Sequence, residues 1–215
     1  MSGTQQQYTG LLKAGDIMMK YNDGSAINNL ISFGQFFGRG NSSFTHAGIA
    51  SSASTIIEMD GHGLQEHNLA GENSQYRYRV YRCVYSQVAA GAAAAAEMMR
   101  AGFAAGNTNI TYSATGALGS ISSREDLPNA DIANDMLDKL LAGGDAFFCS
   151  GHVVLCYQMA ASQSTTDRTF PFSDASGLFS LASTCYQPAY LEKVLSESDD
   201  FVRIGEFRGD AWTGA

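Results

Sequence analysis

Residues 76–85, YRYRVYRCVY, constrain the fold most, because aromatic or aliphatic residues alternate with Arg at the two-residue period of a strand. Such a strand is expected to keep one wet face. The next stretch, SQVAAGAAAAAEMMRAGFAAG (86–106), is a helix by composition. Ser86 is the expected N-cap, Gly106 suits the C-terminal stop, and Val88, Met98, Met99 and Phe103 supply a side to pack.

Other segments are assigned in the same way. LLKAGDIMMKYN (11–22) reads as a strand opened by a Gly-Asp turn, after a flexible leader over 1–10. SAINNLISFGQFFG (25–38) has helical apolar spacing at Ile27, Leu30, Ile31, Phe33 and Phe37, and RGNSS (39–43) is turn chemistry. FTHAGIASSASTIIEMDGHGLQEHNL (44–69) reads as a hairpin followed by a third extended piece. Residues 107–127 read as an irregular loop, and PNADIANDMLDKLLAGG (128–144) as a second helix bounded by Pro128 and Gly143. A third helix starts near Cys149, and the Ser- and Thr-rich 162–184 is a loop excursion. QPAYLEKVLSES (187–198) is a short helix and DFVRIGEF (200–207) a closing strand. Strands, then helices, then a last strand make the class α+β, within one domain over 1–215.

Composition excludes several functions. A net charge of -8 without a Lys/Arg cluster disfavours nucleic acid and anionic membranes as partners. No run approaches the roughly 18 apolar residues of a membrane span, so no stable membrane insertion is expected. MSGTQQQYTG lacks the charged-then-apolar pattern of a signal peptide. The expected location is the cytoplasm, unless export follows a route that reads no such signal. Cys83, Cys149, Cys156 and Cys185 form no CxxC pair, and neither a disulfide framework nor zinc-ligand spacing is expected.

The chemistry centres on DAFFCSGHVVLCYQMAA (145–161). Cys149 is either a buried core thiol, the commoner fate of a lone cysteine, or a nucleophile at a helix start, where unpaired N–H groups favour a thiolate. Its candidate partners lie in the hairpin. Pairing around Ser51–Ala53 sets His46 opposite Glu58 on one face, and a one-residue slip would turn Glu58 to the other. A His beside a carboxylate is an oriented base. His62, in DGHG, is a competing orienter or a turn residue at the cleft rim, and His67 is expected to be solvated. His152, three residues after Cys149, either approaches the thiol or lies on a polar helix face. Tyr112 is a loop residue placed to line the cleft. Asp60, Glu66 and Glu72 near His62 and His67 invite a metal reading but lack a compact ligand motif. Cys83 and Cys156 are expected in the core. No glycine pattern matches a nucleotide fingerprint, so no cofactor is expected.

In order along the chain, LKAGDIMM, FTHAGIA, TIIEMDGHGLQEHNL and FFCSGHVVLCYQ resemble the circularly permuted branch of the NlpC/P60 superfamily of papain-like cysteine hydrolases. YQPAYLEKVLSES resembles the helix that often follows in that family. The resemblance implies an antiparallel sheet packed against helices, with the nucleophile at a helix N-terminus. It implies Cys149 as nucleophile, His46 as base and Glu58 as orienter of His46. Gly151 stands where permuted members often carry an acidic residue two after the Cys. The substrate it implies is an amide, first of all in peptidoglycan stem peptides. In size and layout the chain is similar to antibacterial effectors injected by the type VI secretion system. Such an effector would act in a target cell's periplasm and would have an immunity protein and a secretion component as partners. The alternatives are an acyl hydrolase or transferase acting on lipid or protein, and a binding module without turnover.

Overall fold

The Gly-Asp turn opens the first strand for a physical reason. Gly15 has φ +93°, and a Cβ there would sit 2.2 Å from the Ala89 carbonyl oxygen, so conformation and space both require glycine. Asp16 follows, 1% exposed, and accepts the Lys13 N–H at 2.8 Å. Its two carboxylate oxygens grip Arg82 at 2.7 and 2.6 Å, a bidentate pair that ties this turn to a strand 66 residues on.

The computed structural model describes residues 12–24, 43–106, 111–112, 146–166, 178–209 and 211–212. Strand β1 (Ile17–Tyr21) is followed by the antiparallel run β2 (Phe44–Ala50), β3 (Thr55–Asp60) and β4 (Gly63–Asn68). β5 (Arg77–Cys83) returns to the other side of β1 and leads into α1 (Ser86–Ala104). A two-residue parallel pair, β6 (Thr111–Tyr112) and β7 (Ala146–Phe147), precedes α2 (Cys149–Thr166). After α3 (Pro188–Glu197), β8 (Phe201–Arg208) and β9 (Ala211–Trp212) complete a seven-stranded antiparallel sheet in the order β4-β3-β2-β1-β5-β8-β9. The class is α+β, as expected.

Apolar side chains cover the sheet on both faces. On the helical side Ile17, Met19, Ile49, Ile57 and Tyr81 meet Val153, Val154 and Tyr157 of α2, with Ala92 and Ala96 of α1. Met18, Ala50, Ile56, Tyr78, Val80 and Phe207 form a second cluster on the other side. Each fully buried side chain of this size contributes about 1.5–3 kcal/mol. The small residues of α1 let it lie close to α2: a Cβ at Gly91 would already touch the Ala160 Cβ at 3.0 Å.

Several expectations need correction. β5 has no single wet face: Tyr78 and Val80 enter one cluster while Tyr81 and Cys83 enter the other. The apolar phase shifts at Val80–Tyr81, and Arg79 is instead drawn in by Glu192 of α3 at 2.6 Å. Ser86 is the first helical residue, with Tyr85 in the cap position. Met98 is 55% exposed, and Ala92, Ala93, Ala95 and Ala96 build the packed side with Val88 and Met99. The 162–184 segment is not one excursion, because α2 continues to Thr166 and Leu178, Phe179, Ala182 and Ser183 are buried. The 107–127 loop contains β6. The leader over 1–10 and the helices expected over 25–38 and 128–144 lie outside the described residues, as does all of 39–43 except Ser43.

Candidate active site

Cys149 is the first residue of α2, and the helix is closed from its start by the His152 N–H to the Phe148 carbonyl at 3.1 Å. The β2–β3 ladder runs only from Gly48↔Glu58 to Ala50↔Ile56. Ahead of Gly48 the two strands are unpaired, and there the Ala47 N–H bonds the Cys149 sulfur, as does the Ser150 N–H at the helix start. His46 comes to the same sulfur from a stretch of β2 where the register with β1 steps between Lys20↔His46 and Tyr21↔Phe44, an irregularity of the kind that re-aims side chains.

The hairpin register differs from the expected one by two residues. Gly48, not His46, faces Glu58. Four residues, Ser51–Ser54, make the turn: the Ser51 N–H bonds the Thr55 carbonyl at 3.0 Å, and Ser51 and Ser52 hydroxyls hold Thr55 Oγ1 at 2.7 and 2.6 Å. A two-residue shift keeps the face. His46 therefore reaches Glu58 diagonally, Nε2 to Oε2 at 3.0 Å, with side chains 13% and 7% exposed.

Burial opposes every charge in this cluster, and the partners outweigh it. Desolvation lowers the pKa of His46, but the Cys149 thiolate and the Glu58 carboxylate raise it to about 10. Burial pushes the Cys149 thiol up, yet His46 and the two N–H groups bring it below the usual thiol range. Glu58, 5% exposed, stays below the usual carboxylate value because His46, Asn73 and His67 overcome its desolvation. Both shifts favour a thiolate–imidazolium pair backed by a carboxylate. With Nε2 turned to Glu58, Nδ1 is the ring nitrogen left for the sulfur.

Comparison with protein-family models, curated proteins and solved structures finds no match. The chemistry of the site rests on its own geometry.

The other candidates separate clearly. His62 is 90% exposed in the β3–β4 turn and lies 3.7 Å from Asp60. His67 is not simply solvated: its Nε2 lies 3.2 Å from Asp60 and 3.9 Å from Glu58. His152 lies on no polar face. It is fully buried, its Nε2 is 3.4 Å from the Cys156 sulfur, and burial lowers its pKa to about 4. Tyr112 pairs through its backbone with Phe147, two residues before Cys149. Cys83 and Cys156 are buried, and all four cysteines are free thiols. Among the described residues no group of three or more His, Cys, Asp or Glu could hold a metal ion. None of the described helices is long and apolar enough to cross a membrane.

Asn73 was not singled out from the sequence. It donates Nδ2 to Glu58 Oε1 at 2.7 Å and to the Tyr78 hydroxyl at 2.9 Å. No spacing rule connects an Asn to a carboxylate 15 residues earlier; only the fold of the loop after β4 does.

Proposed function

We propose that the protein is a cysteine hydrolase of the circularly permuted NlpC/P60 type, cleaving an amide bond in peptidoglycan stem peptides as a secreted antibacterial effector. The observation that carries this reading is the paired Cys149 and His46, the thiol depressed and the imidazole raised, with Glu58 at 3.0 Å from His46. An inert core thiol is pushed the other way, as Cys156 is here, its pKa raised by burial. The placement of Cys149 at a helix start and of His46 on a neighbouring strand supports it as well.

In this mechanism the Cys149 thiolate attacks the carbonyl carbon, forming a C–S bond while the carbonyl π pair moves to oxygen. The backbone N–H of Cys149 at the helix start stabilises that oxyanion. The intermediate collapses, the C–N bond breaks and His46 gives its proton to the leaving amine. Neutral His46 then takes a proton from water as the hydroxide attacks the thioester. The C–S bond breaks, releasing the carboxylic acid and restoring thiolate and imidazolium. Glu58 stabilises the imidazolium and fixes the ring nitrogen that faces the sulfur.

Digestion of purified peptidoglycan by wild type and by Cys149→Ala, read by mass spectrometry, tests the proposal. Fragments released by wild type only would identify the bond cut. If neither protein releases fragments, the cell-wall substrate is wrong, and lipid esters and protein amides become the substrates to assay.

A further inference from the structure

We propose that Asn73 is a positioning residue, holding the Glu58 carboxylate against His46 and through it sustaining the Cys149 thiolate. The proposal rests on the reading of Cys149, His46 and Glu58 as the reactive set. Asn73 lies in the tight loop after β4, which its own backbone builds: its N–H bonds the Asn68 carbonyl at 3.1 Å, and its carbonyl accepts the Tyr76 N–H at 3.0 Å. Asn68 Oδ1 caps the same loop by accepting the Ala70 and Gly71 N–H groups at 2.9 and 3.0 Å. The loop drives the Asn73 side chain inward, leaving the residue 4% exposed.

There the amide meets an acceptor-only carboxylate, so Nδ2 must face Glu58. The same Nδ2 gives its second proton to Tyr78, a fully buried residue of β5 that fixes the plane of the amide. Glu58 thus divides its oxygens: Oε2 goes to His46 at 3.0 Å and Oε1 to Asn73 at 2.7 Å. Without Asn73, Oε1 keeps, among the described residues, only His67 of β4 at 3.9 Å, beyond hydrogen-bond reach. His67 is itself held by Asp60 of β3 at 3.2 Å. Tyr78 remains a neutral phenol, burial raising its pKa well above the usual value. Among the described residues, His46, His67 and Tyr78 are the titratable groups that act on Glu58, Asp60 acting on His67, and Asn73 is the short neutral donor to Glu58. A buried carboxylate deprived of that donor favours its protonated form, and a neutral Glu58 no longer supports the imidazolium.

The test is the thiolate ultraviolet absorbance of Cys149 against pH, taken as the difference between each protein and its Cys149→Ala form. This reading needs no substrate and no access for a reagent. In Asn73→Ala the thiolate-to-thiol ratio at the wild-type midpoint should fall about tenfold, as for loss of a hydrogen bond to a charged group. Glu58→Gln should fall at least as far, and adding Asn73→Ala to it should change nothing more. Asn73→Asp, nearly isosteric and tolerant of any packing role, should match Glu58→Gln because two adjacent carboxylates retain a proton. Wild-type titration in folded Asn73→Ala or Asn73→Asp would overturn the proposal, as would an equal loss from Asn73→Ala in the Glu58→Gln background. If wild-type Cys149 titrates as an ordinary thiol and Glu58→Gln leaves it unmoved, the reactive set itself is wrong and Asn73 falls with it.

Discussion

His46 and Glu58 meet diagonally across β2 and β3, two residues out of facing register, at 3.0 Å. Gly48 takes the facing position, which leaves the segment of β2 before it free of β3 and open to the start of α2. The offset admits Cys149 while keeping base and carboxylate on one face.

Glu58→Gln keeps the size of the side chain and removes its charge. Turnover should fall about 10- to 100-fold, the range for a lost charge-assisted hydrogen bond, with KM little changed. His46→Ala should reduce turnover by about a thousandfold or more, since it removes both thiolate stabilisation and proton delivery. Steady-state kinetics on the released peptide would show both. Equal, small losses in the two variants would mean that the carboxylate and imidazole do not act on one thiol.

The pH dependence of kcat/KM follows from the direction of the two shifts. His46 carries its proton up to about 10, so activity is lost on the alkaline side as pH rises through that value. The Cys149 thiol is depressed, so activity is lost in acid only below the ordinary thiol range. A bell with its plateau between these limits is expected. A profile that rises with pH through the range of a free thiol would contradict the ion pair.

His152 sets an acid limit on stability. Its folded-state pKa of about 4 lies below the usual 6.5, so the unfolded chain takes up the proton first. Stability should fall by about 3 kcal/mol as pH drops from about 6.5 towards 4, and flatten below that. Urea unfolding of wild type and His152→Leu across this range would show the slope reduced in the variant.

Adjacent methionines of α1 should respond differently. Met99, 5% exposed, packs under the helix beside Cys156, whereas Met98 is 55% exposed. Met99→Ala should cost about 2–5 kcal/mol and Met98→Ala within about 0.5 kcal/mol. Thermal unfolding of the pair distinguishes them.

Strand and helix positions were legible where the period was strong: β5 into α1, the hairpin, and the helix opened by Cys149. Exact register was not. It depended on how four serine-rich residues close a turn, which the alternating pattern of Thr55–Asp60 does not encode. The Met98 expectation failed because alanines, which carry little pattern, form the buried side of α1. His67 and Asn73 escaped for a related reason. Their partners, Asp60 and Glu58, are brought to them by the β3–β4 pairing and a loop, not by any sequence spacing.

The central claim is that one thiol of four is activated, and selective alkylation tests it most directly. Cys83, Cys149, Cys156 and Cys185 are 3%, 1%, 0% and 4% exposed, so access gives Cys149 no advantage. Labelling with iodoacetamide at mildly acidic pH, located by peptide mass spectrometry, should modify Cys149 first, and His46→Ala should abolish that preference. Equal, slow labelling of all four cysteines would contradict the account.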